Sequence, residues 1–224
     1  FLFLGATLQQ AGVEQTTAGK AGFITGLYVV IIPIILSTIW KERFHRITWI
    51  AVVIALLGMG LLSLDGNLRL ATGDLIVLGS SFMWAFHVIL IGKNVHKVNV
   101  IKIAFLQNLV CMLLSFMGGL IFESTSGANI LAAGPALLYS GIVSIGIAYT
   151  LQLVGQQYAP PVDSAIIMST ESVFAMLFGI TVLAETVNSQ QIIGCVLMFI
   201  AMMLAQVPTF REHLKPAGAE GDSA

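Results

Sequence analysis

Charged side chains are scarce in this sequence. Asp, Glu, Lys and Arg make up 9% of its 224 residues, against roughly 25% in a typical soluble domain. A soluble fold of this size needs polar groups to cover its surface, so the shortage excludes an ordinary soluble enzyme. Hydrophobic residues reach 57%, which excludes a disordered chain, and no basic patch is available for nucleic acid. Catalytic signatures are missing too. There is no HExxH for a zinc protease and no GxxxxGK[ST] for nucleotide binding. Asp74 and Asp163 stand at the ends of apolar runs, where a diaspartyl protease would need both inside. Ser80 or Ser81 with His87 makes a poor nucleophile–base pair, because six or seven residues along one helix separate them by ~10 Å in height. The two cysteines, Cys111 and Cys195, lie within apolar runs and read as small hydrophobes, with no disulfide, metal or cofactor implied. The chain has no initiator methionine; it opens Phe-Leu-Phe-Leu on a short apolar run, which reads as an N-terminal truncation.

What the sequence has in abundance is long uncharged stretches. A helix crosses the hydrocarbon core with about 20 apolar residues. Residues 21–40, 47–64, 75–92 and 103–122 contain no Asp, Glu, Lys or Arg, and neither do 124–162 or 186–210. Residues 164–184 hold one charge, Glu171. With a shorter run at 1–13, and spans near 132–156 and 190–207, this predicts eight membrane-crossing helices. Barrel strands of ~10 alternating residues are not seen. The expected fold class is an all-α polytopic membrane protein in the lipid bilayer.

Lys and Arg accumulate on the cytoplasmic side of membrane helices. Numbering the loops alternately puts Lys41, Arg43, Arg46, Lys93, Lys97, Lys102, Arg211 and Lys215 on one side and only Lys20 and Arg69 on the other. This predicts that 41–46, 92–102, 157–163 and the C-terminus are inside, in a cell inner (plasma) membrane.

A shift of 143 residues lays Thr7-Leu8-Gln9 on Thr150-Leu151-Gln152 and Gly12 on Gly155. The same shift pairs Ile24 with Ile167, Val30 with Val173, Thr38 with Thr181 and Glu42 with Glu185. The loop 41–46 is basic, and its counterpart 184–189 carries no basic residue. Equivalent loops then lie on opposite sides, so equivalent helices cross in opposite directions. Inverted repeats are typical of secondary transporters with a midplane site between the repeats. The second repeat has five helices (75–207). The first shows its last three (1–64), which implies two more helices before Phe1 and ten in all. Residues 65–74 read as a periplasmic linker and 208–224 as a disordered cytoplasmic tail.

These residues resemble the drug/metabolite transporter superfamily, EamA type. The resemblance rests on Gly155–Pro161 (GQQYAPP), on Ser169-Thr-Glu-Ser-Val-Phe-Ala running into Leu183-Ala184-Glu185 and Ile193-Gly194, and on Ala21–Pro33 with Lys41-Glu42. Trp84-Ala85 fits as well, while Ser172 stands where the family often has proline. The resemblance implies ten helices, cytoplasmic termini and a central cavity that moves a small molecule. The expected function is secondary transport of an amino-acid-like or drug-like metabolite by alternating access, in the direction of export. A non-coupled facilitator or channel is the nearest alternative, and an intramembrane enzyme a more distant one.

Glu171 lies seven residues from the inner end of its span, ~10 Å deep at 1.5 Å per residue. Ionisable groups at such depth usually face a cavity or a partner, which makes Glu171 a candidate proton carrier; a structural carboxyl joining two helices is the alternative. His87 lies at comparable depth with Trp84 at i−3 on the same face, so the pair is expected to line the cavity; a neutral histidine bonded to backbone is the alternative. Tyr149, Gln152 and Gln156 share one helix face. An amide facing lipid lacks partners, so this stripe is expected to face protein or water. Gln9 is the repeat equivalent of Gln152, and Tyr28 that of Glu171. Gln107 and Asn108 read as helix-joining groups. Gly22, Gly26, Gly58 and Gly118 read as packing positions, Pro33 as a kink, and Pro160-Pro161 as a boundary between helices.

Overall fold

The computed structural model describes residues 1–16, 18–63, 71–122, 126–171, 173–174, 177, 181 and 188–213. Every regular element among them is helical: α1 (Leu2–Val13), α2 (Ala18–Gly26), α3 (Tyr28–Thr38), α4 (Arg46–Ser63), α5 (Thr72–Asn94), α6 (Val100–Phe122), α7 (Gly127–Ala132), α8 (Gly134–Tyr139), a π-helix (Ser140–Ala148), α9 (Tyr149–Gly155), α10 (Pro161–Ser169) and α11 (Ser189–His213). Local chemistry sets several of the starts. Asp74 Oδ2 accepts from the Ala71 N–H at 2.8 Å at the head of α5. Asn99 Oδ1 accepts from the Ile101 and Lys102 N–H groups at 2.9 and 3.3 Å and caps α6. Pro161 occupies the first turn of α10, where a missing N–H costs nothing.

Four stretches are long and apolar enough to cross a membrane, judged by length and composition: Ala21–Thr38, Thr72–Asn94, Val100–Phe122 and Gly134–Gly155. Arg46–Leu61 and Ser189–Ala205 are shorter apolar helices, and α1 has 12 residues. The expected span at 164–184 is described only in part. The expected tail differs from the structure at its start: α11 continues through Pro208 to His213, since one proline near a helix end removes a single backbone bond without stopping the helix. Residues 214–224 lie outside the described residues. So do residue 64 and residues 65–70 of the expected linker, whose last residues, Thr72–Asp74, form the first turn of α5.

Two helices are broken in the same way. Between α2 and α3 the Leu27 N–H donates to Ile24 O at 3.2 Å, and Leu27 O accepts from Val30 and Ile31 N–H at 2.9 and 3.0 Å. After α10 the Thr170 N–H donates to Ile167 O at 3.1 Å, and Thr170 O accepts from Val173 and Phe174 N–H at 2.9 and 3.2 Å. Leu27 and Thr170 are related by the 143-residue shift of the sequence repeat. The break in the first half therefore falls at Leu27, before Pro33, which sits inside α3. Tyr28 and Glu171 are the residues that follow the two breaks.

The core is assembled from α3, α4, α5, α10 and α11. Ile32, Leu36, Val52, Ala55, Met59, Ile89, Ile166, Met198 and Ala201 are fully buried in one cluster. Glycines let backbones touch at two crossings. A Cβ on Gly12 would stand 2.9 Å from Gly73 O of α5, and one on Gly58 would stand 2.8 Å from Gly194 O of α11. Gly26 faces Met59, but Gly22 and Gly118 have no atom within 4 Å of a built Cβ. The glycine-packing expectation thus holds for two of these four, Gly26 and Gly58; Gly22 and Gly118 lie on open faces. Outer surfaces are apolar, with Leu120 71%, Phe122 86% and Leu131 81% exposed. α6 buries only Ala104. In a bilayer such faces meet lipid tails and carry no hydrophobic penalty.

At one end of the bundle Lys93 Nζ donates to Glu42 Oε1 at 2.6 Å and lies 4.9 Å above the Trp40 ring centre. The loop after α3 and the end of α5 therefore share one side. Lys41 holds a φ of +56°, a left-handed turn that lets the Glu42 N–H close on Leu36 O at 3.1 Å.

Candidate functional site

A cavity of about 600 Å³ opens between α1, α2, α3, α5, α9 and α10. That volume suits a small organic molecule. Each wall follows from the pattern of its helix. On α9 the i, i+3, i+7 stripe brings Tyr149, Gln152 and Gln156 to the lining, reached directly from the π-helix. A π-turn inserts an extra residue and is frequent at functional sites. Gln9 comes from α1, Trp84 and Val88 from α5, and Ile167 and Met168 from α10. Thr25, Tyr28, Thr170 and Glu171 come from the two helix breaks.

Of the seven residues singled out in the sequence, Glu171, Trp84, Gln152, Tyr149, Tyr28 and Gln9 line this one cavity. His87 does not. It is buried on α5 behind Trp84, whose ring meets it edge-on at 5.8 Å between centroids. The i−3 spacing that suggested a shared lining instead stacks the indole and the imidazole in depth.

The lining is tied together at a few points. Trp84 Nε1 donates to Gln9 Oε1 at 3.0 Å. Gly5 lets α1 approach that indole, since a Cβ there would stand 3.2 Å from it. Trp84 and Tyr149 stand 6.1 Å apart at 42° and form two adjoining aromatic walls. Gln156 Nε2 donates to Val88 O at 3.3 Å, while its Oε1 and the Thr25 hydroxyl are buried with no hydrogen-bond partner among the described residues. The Glu171 side chain is exposed and lines the same space as Tyr28 and Tyr149. Among the described residues, no lysine, arginine or histidine lines the cavity. No group of three or more His, Cys, Asp or Glu residues suited to a metal occurs among the described residues.

Residues 1–64 and 71–206 match the EamA-like transporter family. The chain belongs to the EamA-like transporter family. It is also 32% identical over 205 residues to an uncharacterized transporter of Archaeoglobus fulgidus, covering 92% of this chain and 66% of that protein's length. A solved crystal structure of a protein has the same fold at a TM-score of 0.78 and 18% identity, over 92% of this chain and 75% of the other. For this EamA-like chain, family and relative alike carry the name of transporters, and neither that of an enzyme.

Three lining residues of the EamA-like bundle escaped the sequence reading. Thr25 stands three residues before Tyr28, on the α2 side of the break at Leu27. Thr170 directly precedes Glu171, and its hydroxyl is turned back to Ile167 O at 2.6 Å. Phe174 sits at i+3 from Glu171 and adds a fourth aromatic ring to the lining. Gln107 and Asn108, read as helix-joining, carry buried polar atoms without partners among the described residues.

Proposed function

We propose that the protein is a secondary transporter that moves a small metabolite through this cavity by alternating access, in the direction of efflux. The observation that carries the reading is the pairing of repeat equivalents around one space. Gln9 and Gln152, Thr25 and Met168, and Tyr28 and Glu171 all line the cavity, and each pair is related by the same 143-residue shift. A site shared by two inverted five-helix repeats can be opened to either side by rocking one repeat on the other. The matched breaks at Leu27 and Thr170 supply bending points that flank the cavity, because each interrupts the backbone ladder beside a lining residue.

In this reading the inverted repeats belong to a ten-helix inner-membrane protein with its C-terminus in the cytoplasm. The apolar walls and amides hold the solute, and Glu171 couples its movement to a proton. The carboxyl group suits that role because it is ionisable, lines the cavity and has no hydrogen bond or ion pair among the described residues.

The test is flux in proteoliposomes made with the complete protein. Glu171→Gln keeps size and most hydrogen bonding while removing titration. It is expected to fold like the parent and to lose pH-gradient-driven transport while retaining solute exchange. Parent-like flux of that variant at every pH would end the coupling assignment, and gradient-independent flux in the parent would point to a facilitator.

A further inference from the structure

We infer that the cavity selects a monovalent organic cation, an ammonium on an aromatic or aliphatic body, over neutral and anionic solutes of the same shape. The inference rests on the transporter reading above and names the substrate class of its site.

Charge is the first argument. Glu171 is the one formally charged side chain among the described residues of the lining. A carboxylate at membrane depth is costly without a partner, and it makes no ion pair or hydrogen bond among the described residues. A ligand cation would supply the missing partner. A ligand carboxylate would meet repulsion and find no basic side chain. A zwitterionic amino acid would satisfy Glu171 at one end and leave its own carboxylate unpaired at the other.

The aromatic walls are the second argument. Trp84 and Tyr149, at 6.1 Å and 42°, form a corner whose ring faces attract a cation within about 6 Å of their centroids. Tyr28 adds a further aromatic ring to the same lining. Indole, phenol and carboxylate in the lining of one cavity are groups that recognise an ammonium.

Hydrogen-bonding polarity agrees. The Trp84 N–H is already used on Gln9 Oε1 at 3.0 Å, so the strongest neutral donor in the lining is not free for an anion.

Three probes of one shape separate the classes: phenethylamine, phenethyl alcohol and hydrocinnamate. Binding to the complete purified protein is measured by calorimetry, and flux of each is measured in proteoliposomes. Phenethylammonium should bind at least about tenfold more tightly than the other two. In Glu171→Gln that preference should collapse, with affinity for the alcohol little changed. Equal or tighter binding of the alcohol or hydrocinnamate, or binding of none of the three, overturns the inference. Transport of hydrocinnamate would overturn the cation assignment and leave the transporter reading standing. Tight phenethylammonium binding without flux of any probe would do the reverse.

Discussion

Tyr28 and Glu171 follow two helix breaks of identical hydrogen-bond pattern and both line one cavity. The repeat thus conserves the backbone device and varies the side chain it delivers: a phenol in one half, a carboxylate in the other. The Tyr28 hydroxyl makes no hydrogen bond among the described residues, so Tyr28→Phe should cost little stability. Its ring still packs in the core, where Tyr28 is only 7% exposed. We expect an unchanged melting temperature and reduced flux, read from thermal unfolding and transport of the same preparation. A large loss of stability would assign Tyr28 to packing.

The two TLQxxG glycines predict opposite outcomes. Gly12 touches the backbone of α5, whereas Gly155 has no atom within 4 Å of a built Cβ. Gly12→Ala forces α1 and α5 apart, and overpacking of this kind costs about 1–3 kcal/mol. Gly155→Ala should melt like the parent. Thermal melts of the two variants in the same detergent check the contrast.

That contrast also shows how far the sequence could be read. Uncharged run lengths located α4, α5 and α6 almost to the residue, because in a membrane protein the absence of charge itself marks the helix. The α9 stripe of Tyr149, Gln152 and Gln156 was legible because amides and phenols avoid lipid. Repeat arithmetic found Gln9 and Tyr28, which no local pattern singles out. His87 was misassigned to the lining because i−3 spacing gives a shared face but not the depth order, and the larger indole takes the cavity side. Pro33 reads as a kink because proline is a visible helix breaker, whereas the break at Leu27 lies where no residue type announces it. Gly22 was read as packing from spacing alone, which cannot say whether a neighbour is present.

Trp84 links two helices through its bond to Gln9 at 3.0 Å. Trp84→Phe keeps an aromatic wall and removes the donor, at a cost of about 1 kcal/mol. Stability should fall slightly while phenethylammonium affinity falls further, because the phenyl face attracts a cation less strongly than indole. Calorimetric titration beside a thermal melt separates the two effects. Equal affinity would remove Trp84 from the binding wall.

The Glu42–Lys93 pair fixes which loops share a side, since its atoms lie 2.6 Å apart. Single cysteines at His45 and His96, in a Cys111→Ser, Cys195→Ser background, should react with an impermeant thiol reagent from the cytoplasm. A cysteine at Ser189 should react only from the opposite side. The pair itself is partly exposed, at 28% and 39%, so Glu42→Gln should change stability by at most about 1 kcal/mol. Labelling of positions 45 and 189 from the same side would remove the inverted relation between the repeats.

Alternating access through the shared cavity is tested most directly by a cysteine at Gln152, half-buried in its lining. The measurement is modification of Gln152→Cys, in the same cysteine-free background, by an impermeant thiol reagent applied to one face of sealed vesicles and then to the other. The account predicts reaction from both faces in the absence of solute, with a transported solute slowing both reactions. Reaction from one face alone, under every condition of solute and pH gradient, would contradict it.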